Sequence, residues 1–452
     1  MRLSEIHLTN FRCFESLSVR FEPESNVHIF VGDNGAGKSA ILDAIALGLA
    51  PIARRFGQTP GGKRRNLLDI TETARHPSAG VAIFDNTSPK PFCHLHFKGR
   101  PNGHVVEWDA HLLRDKSKRT KAALPPVIGN KHLNEALDDD VFQVAENPNG
   151  EAGNVPVYAY YGTSRAVLDI PQRQRNFESA FSRGAALKNA LDPVSRFKDA
   201  FEWFFAMERD ELAMQNRKQE FRFRLSVLEA VRRAIQGMLP EFIEPRITTH
   251  PLHFQLSRKN EDGSVTDLFA EQLSDGYRTM LALVMDFARR LAQANPKMAD
   301  PLQSEAVLLI DEVDLHLHPD WQQTIVPQLQ NTFPNTQLIL TTHSPAVLTS
   351  VHSRSVQVLR DGKLNAAPGG IYGAESKRTL ERVMGISSRP PKEKNPRVKK
   401  LEELFALISD GKLDQAKDLA IVLNQQFSGN EPAVDEAITM IENRLWEREV
   451  GL

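Results

Sequence analysis

Eight consecutive residues near the start of the chain, residues 32–39, have the composition of a loop that binds phosphate. They follow an apolar run at residues 27–31 and precede a helical pattern at residues 40–49, which is the strand, loop and helix order that such a loop requires. Glycine lets successive backbone N–H groups close around a phosphate at a helix N-terminus, whose partial positive charge favours anions. The pattern predicts a nucleoside triphosphate site with the binding residues Gly32, Asn34, Gly35, Gly37, Lys38 and Ser39.

Two residues of this loop have distinct chemical roles. Lys38 is expected to reach the β and γ phosphates, and the Ser39 hydroxyl is expected to bind Mg²⁺. Mg²⁺ prefers a few hard oxygen ligands together with water and substrate phosphates. The alternative is a glycine-rich turn that matches by chance, and the strand and helix on either side weigh against it.

A second part of the site follows a short apolar run at residues 306–310. The run is too short for a buried helix and ends in Asp311 and Glu312, as a central parallel strand does when it places carboxylates at its C-terminal edge. Asp311 is expected to bind Mg²⁺, and Glu312 is expected to polarise the attacking water as general base. An isolated Asp-Glu pair is more often a solvated turn, but the apolar run before this one favours the site.

Two more segments have the character of nucleotide-site residues. A strand at residues 337–341 leads into His343, which falls where parallel α/β folds place their ligands. We interpret His343 as a sensor of the γ-phosphate; the alternative is a satisfied core histidine. Ser274 and Gly276 precede an amphipathic run at residues 279–291, and the alternative for Ser274 is an ordinary helix N-cap.

In this order, the segments resemble those of the ATP-binding-cassette (ABC) ATPases, specifically the branch that includes RecF, SMC-type and overcoming-lysogenization ATPases. Residues 273–278 are similar to the signature motif of that branch, residues 313–316 to its D-loop, and His343 to its switch histidine. The resemblance covers residues 1–50 and 155–350. It implies ATP and Mg²⁺ as ligands.

The resemblance also includes a tripeptide near the N-terminus, and it implies a dimer. Asn10, Phe11 and Arg12 are similar to a tripeptide that these proteins carry near the nucleotide. In this family the signature serine of a second subunit, here Ser274, contacts the γ-phosphate, which implies a homodimer or a higher assembly. The Q-loop stays open, because residues 160–165 contain no glutamine and the nearest candidates lie just beyond, at Gln172 and Gln174.

The fold class implied is α/β: an ABC-ATPase head with a central mixed β-sheet, inserted β-rich or loop and helical lobes, and a small C-terminal helical appendage. Phenylalanines at helical spacing between residues 197 and 205 are more typical of a core or a dimer contact than of a base-stacking surface. We divide the chain into six parts. They are an N-terminal ATPase lobe (1–50), a loop or β-rich insertion (51–155), an ATPase segment (156–185), a helical lobe (186–245), a C-terminal ATPase lobe (246–365) and a C-terminal linker with helices (366–452).

Over its whole length the chain most resembles the stand-alone ATPase of Septu-type antiphage systems, called PtuA, and ATPases associated with retrons. This resemblance rests on the length and on residues 160–165, 315–319 and 371–374. Relatives of this kind work with a separate HNH nuclease, so it implies an ATP-hydrolysing sensor or regulator that controls such a nuclease subunit. The alternative is a RecF-like DNA repair or recombination ATPase.

The C-terminal part has helical patterns but no catalytic pattern. Overcoming-lysogenization nucleases carry a Toprim domain there, which needs an Asp-x-Asp pair, and none occurs after Thr349. No nuclease centre is therefore expected in this chain. Ile438, Ile441 and Leu445 mark an apolar helix face, which either docks a partner such as the HNH nuclease or packs within the chain.

The composition is typical of a soluble enzyme, with 41% hydrophobic and 25% charged residues. The sequence shows no apolar stretch of membrane-spanning length and no signal segment, so we expect a cytoplasmic protein without a membrane partner. A formal net charge of −1 excludes a uniformly basic nucleic-acid binder. Basic runs at residues 54–65 and 114–121 are either nucleic-acid contacts or solvated loops. The two cysteines indicate neither a disulfide framework nor a zinc hook.

Overall fold

The computed structural model describes residues 2–56, 84–85, 88–100, 104–113, 117–137, 154–166, 181–193, 197–249 and 251–450. The chain divides into two compact units, Met1–Thr379 and Leu380–Leu452. Across these described ranges, no helix is both long and apolar enough to cross a membrane. Several predicted features lie outside the described residues, namely Gln172, Gln174, residues 57–65 of the first basic run and residues 114–116 of the second.

The strands are numbered in chain order. They are β1 (Arg2–Phe11), β2 (Phe14–Arg20), β3 (Val27–Gly32), β4 (Phe84–Asp85), β5 (Ser88–Pro89), β6 (Phe92–Arg100), β7 (Val106–Leu113), β8 (Val157–Tyr161), β9 (Phe242–Thr249), β10 (Leu252–Lys259), β11 (Val265–Phe269), β12 (Ala306–Ile310), β13 (Thr336–Thr342), β14 (Val356–Arg360) and β15 (Lys363–Ala366).

The α-helices are numbered in the same way. They are α1 (Lys38–Phe56), α2 (Lys118–Ala123), α3 (Lys131–Leu137), α4 (Phe197–Lys218), α5 (Ser226–Met238), α6 (Asp275–Ala294), α7 (Pro319–Thr332), α8 (Pro345–Thr349), α9 (Ser376–Thr379), α10 (Pro396–Ser409), α11 (Leu413–Gln426) and α12 (Pro432–Val450).

The central sheet of the first unit has the strand order β15-β14-β3-β13-β12-β8. Neighbouring strands are parallel except for β14 and β15, which pair antiparallel. Strands β8, β12 and β13 are buried along their whole length, as expected for parallel strands covered on both faces. The predicted α/β class with a central mixed sheet is confirmed. Strand β15 lies at the edge of this sheet, next to β14.

A second, antiparallel sheet has the order β2-β1-β6-β7. Strands β6 and β7 come from the part of the sequence that we interpreted as an insertion, yet β6 pairs with the N-terminal strand β1 and β7 pairs with β6. Helix α1 packs closely on this sheet: a Cβ on Gly48 would lie 2.3 Å from the Phe97 ring. The Trp108 indole donates a hydrogen bond to the Gly48 carbonyl at 2.9 Å. Gly48 thus permits the close contact.

The helical hairpin of α4 and α5 packs on a third sheet, with the order β11-β10-β9. Phe197, Phe201 and Phe204 are fully buried, and the ring centroids of Phe204 and Phe254 lie 5.3 Å apart. Of the two predicted roles for this aromatic cluster, a core or a dimer contact, the structure supports the core.

The second unit contains a three-helix bundle of α10, α11 and α12. Its core includes Leu404, Leu423 and Ile441, and the partly buried Ile438 and Leu445 pack against it. The apolar face of α12 therefore lies within the chain's own core. Of the two hypotheses for this face, the structure supports internal packing over partner docking.

Candidate nucleotide site

The predicted phosphate-binding loop joins β3 to α1. Gly35 and Gly37 have φ angles of 81° and 108°, in the left-handed region that favours glycine. A Cβ on Gly37 would lie 2.4 Å from Cys13 Sγ and 2.6 Å from Phe14 Cζ. The turn between β1 and β2 thus packs directly on the loop, and only glycine fits there.

Lys38 begins α1 and lies over the loop. Its Nζ donates to the backbone carbonyls of Gly32 at 2.9 Å and Asp33 at 3.0 Å. Burial lowers the pKa of Lys38, and the carboxylates of Asp311 and Glu312 oppose that shift. The two parts of the predicted site therefore lie close enough to interact electrostatically. Asn34, Gly35 and Ser39 are exposed, so a ligand can reach them.

Asp311 and Glu312 follow β12 and are held by a threonine of the neighbouring strand β13. The Thr341 hydroxyl donates to Asp311 Oδ1 at 2.6 Å and accepts from the Glu312 backbone N–H at 2.7 Å. Glu312 has a φ of 49°, a left-handed conformation that is strained for a side chain other than glycine and is common at functional sites. Thr341 is fully buried, so this one hydroxyl holds both acidic residues.

The next threonine has an equivalent role for a third carboxylate. The Thr342 hydroxyl donates to Asp314 Oδ1 at 2.5 Å, and the backbone N–H of His343 donates to the same oxygen at 3.4 Å. His343 is half-buried. Ser344 caps α8 with its side chain and also donates to Gln322 Oε1 at 2.6 Å. The predicted D-loop and switch segments are therefore joined at Asp314.

The predicted signature segment forms the first turn of α6, which begins at Asp275, four residues earlier than we expected. Ser274 occupies the N-cap position and is exposed, but its side chain makes no capping hydrogen bond. A Cβ on Gly276 would lie 2.7 Å from the carbonyl oxygen of His316. Close contact with residue 316, which has a φ of 63°, accounts for glycine at this position.

The tripeptide at residues 10–12 contacts protein groups around the loop. Asn10 donates to the Phe92 carbonyl at 3.1 Å, and Phe11 is buried. Arg12 pairs with Asp43 on α1. Burial raises the pKa of Asp43, and Arg12 opposes that shift. A nucleotide-binding role for these three residues stays a prediction.

A buried ionic network joins the end of β8 to α6. The Tyr161 carbonyl accepts from the Asp311 N–H at 2.9 Å, and the Tyr161 hydroxyl donates to Asp286 Oδ2 at 2.8 Å. Asp286 also pairs with Arg289 and Arg290, whose guanidinium groups hold the pKa of this buried carboxyl well below its usual range despite burial. One tyrosine therefore contacts both the acidic strand end and the helix that follows Ser274.

Sequence reasoning missed Thr341, Thr342 and Tyr161. The two threonines had a usable signal, because polar residues at the end of an otherwise apolar strand lie at the ligand edge of a parallel sheet. Tyr161 belongs to residues 160–165, where the resemblance pointed to the Q-loop, but no local signal indicated its partners Asp286 and Asp311, which are more than a hundred residues away in the sequence.

Residues 5–242 match the family AAA_23, described as an AAA domain. This match spans more than half of the 452 residues, so the chain belongs to that family.

The chain is similar over nearly its whole length to the Retron Ec83 probable ATPase of Escherichia coli, with 29% identity across 99% of this chain and 88% of that protein. The Septu protein PtuA of Bacillus mycoides (strain KBAB4) is 24% identical across 80% of this chain and 41% of that protein, so this chain matches less than half of PtuA. A solved SMC head bound to the C-winged helix domain of ScpA has a TM-score of 0.44 and 15% identity, over 81% of this chain and 97% of that chain. The predicted resemblance to retron-associated ATPases and to Septu PtuA is confirmed.

Proposed function

We propose that this chain is the ATP-hydrolysing subunit of a bacterial antiphage defence complex, that two copies engage through composite ATP sites, and that their nucleotide state controls a separate HNH nuclease. The defence role is supported by the similarity to a retron ATPase across 99% of this chain. Hydrolysis is supported by one feature of the site: Thr341 holds the two acidic residues Asp311 and Glu312 by a single buried hydroxyl.

The arrangement suits a magnesium nucleotide. Ser39 and Asp311 are oxygen donors of the kind that Mg²⁺ prefers, and they would hold the ion. When bound, Mg²⁺ neutralises charge on the β and γ phosphate oxygens. Lys38 would exchange its bonds to the Gly32 and Asp33 carbonyls for phosphate oxygens, and Glu312 would accept a proton from the attacking water.

Two observations support a composite site. Ser274 is exposed at the start of α6, where its hydroxyl makes no capping bond, so it can contact a second copy. Gly276 lies against the backbone of His316, so the signature and D-loop segments form one surface. In the proposed dimer this surface faces the phosphates bound to the partner.

Mixing two inactive variants tests the composite site. Lys38→Ala loses a charge-assisted phosphate contact, so we expect ATP binding to weaken by roughly 1.5 to 3 kcal/mol in calorimetric titration. Ser274→Arg leaves ATP binding to the monomer intact but blocks the engaged dimer. A mixture of the two contains some sites with neither defect and should regain part of the ATPase activity. No recovery in the mixture would reject the composite site.

The defence role is tested in cells that carry the chain together with its neighbouring genes. Glu312→Gln should abolish protection in a phage plating assay if hydrolysis is needed. A RecF-like repair role predicts the opposite pattern, in which deletion raises sensitivity to DNA damage and leaves phage plating unchanged. Co-purification of an HNH protein with the wild-type chain would support the nuclease partner, and its absence from active complexes would reject it.

A further inference from the structure

The loop that joins α4 to α5 is basic and carries an exposed aromatic side chain. Residues 217–224, which we name the hairpin tip, contain one acidic residue, Glu220, and the four basic residues Arg217, Lys218, Arg222 and Arg224. The whole chain has a formal net charge of −1, so positive charge is concentrated here. Phe221 is 75% exposed.

Buried side chains of α4 fix the backbone of the hairpin tip by hydrogen bonds. Glu211 Oε2 accepts from the Leu225 N–H at 2.7 Å, and Gln215 Nε2 donates to the Phe223 carbonyl at 2.8 Å. The Lys218 ammonium lies 3.9 Å from the centroid of the Phe223 ring, a cation–π contact. The tip is therefore built around Phe223, and Phe221 and Arg222 are left on its exposed surface.

Helix stability accounts for only part of this composition. Arg217 and Lys218 lie in the last turn of α4, where positive charge favours the helix dipole. Phe221 and Arg222 lie beyond that helix, so the dipole gives no reason for them. Neither Arg217 nor Arg222 makes an ion pair within the described ranges of the chain.

We propose that the hairpin tip binds single-stranded nucleic acid. Arg217, Lys218 and Arg222 contact the phosphates, and Phe221 stacks on an unpaired base, the combination used by proteins that bind single strands without sequence preference. A duplex hides its base faces, so Phe221 adds affinity only for unpaired bases. The tip lies on elements other than the nucleotide site, and the proposal goes beyond the function proposed above.

Fluorescence anisotropy of the full chain with labelled oligodeoxythymidine, oligouridine and a duplex, each of about 20 nucleotides, tests this site. We expect the single strands to bind more tightly than the duplex, and the two single strands show whether the site takes DNA or RNA. Phe221→Ala should weaken single-strand binding roughly tenfold, while Phe221→Trp should retain it. Val265→Ala, an exposed apolar residue on β11, is the matched control.

The charged residues give an independent readout. The double variant Arg217→Ala and Arg222→Ala should reduce the slope of log K against log salt by about 1.4, because each phosphate contact to a single strand contributes about 0.7. The double variant Lys363→Ala and Lys394→Ala, which removes two exposed lysines elsewhere, should leave the slope unchanged. Equal binding by wild type, Phe221→Ala and the arginine variant would overturn the proposal. If the wild-type chain bound no nucleic acid, and the Phe221→Ala variant sedimented differently from the wild type, the proposal would be overturned in favour of a protein interface.

Discussion

Replacing Thr341 by valine tests whether one buried hydroxyl holds the acidic end of β12. Valine keeps the shape of threonine but removes the donor to Asp311 and the acceptor for the Glu312 N–H. Both residues then lose a partner in a site where Thr341 itself is fully buried. We expect a loss of stability and of turnover together.

The magnitude follows from the two hydrogen bonds. A hydrogen bond to a charged group contributes roughly 1.5 to 3 kcal/mol, and a donor left without a partner costs about 1 to 3 kcal/mol. The left-handed backbone of Glu312 can relax in the variant, which returns about 1 kcal/mol. Thr341→Val should therefore lower the free energy of unfolding by about 1.5 to 5 kcal/mol. Displacement of Glu312 should lower kcat by about 10- to 100-fold.

Urea unfolding and steady-state ATP turnover measure these two effects. Thr336→Val, on the same strand, is a matched control: its hydroxyl is buried and has no hydrogen-bond partner among the described residues, so valine should be neutral or stabilising. Thr341→Ser retains the hydroxyl and should keep kcat within a few-fold of wild type. A Thr341→Val protein as stable and as active as Thr336→Val would refute the role of the hydroxyl.

Three further predictions concern the general base, a buried carboxyl and the C-terminal bundle. Glu312→Gln keeps the side-chain size and should retain ATP affinity while turnover falls by about two to four orders of magnitude; turnover near the wild-type rate would reject Glu312 as base. Burial raises the pKa of Glu208 to about 7, so the folded chain binds more protons than the unfolded chain between the ordinary glutamate pKa and 7, and stability falls as pH rises through that window. Glu208→Gln should flatten this decline by about 2 kcal/mol between pH 5 and 8 in urea unfolding, and an unchanged slope would contradict the assignment. Ile441→Glu places a charge in the bundle core and should destabilise α10 to α12 by more than about 3 kcal/mol in hydrogen exchange, whereas Trp446→Glu, 58% exposed on the same helix, should not; equal protection in both would show that Ile441 is not a core residue.

Much of the nucleotide site was predictable because its signals are local. Residues 33–37 of the predicted loop join β3 to α1, and Asp311 follows β12 as predicted. Glycine indicates the backbone conformation of its own short segment. An apolar run that ends in a carboxylate indicates a buried strand and the place where it ends. The same holds for the three C-terminal helices, whose apolar spacing defines them one by one.

Only the tertiary structure decided which distant segments meet. Three contacts join residues that are about 30 positions or more apart in the sequence. They are the pairing of β6 with β1, the hydrogen bonds of Thr341 to Asp311 and Glu312, and the hydrogen bond of Tyr161 to Asp286. The apolar face of α12 could equally have faced a partner, and packing against α10 and α11 placed Ile441 in the bundle core. A local pattern predicts that a strand must pair with another strand or that an apolar helix face must be buried. Which segment provides that contact depends on the summed packing of the whole chain, which no short stretch of sequence contains.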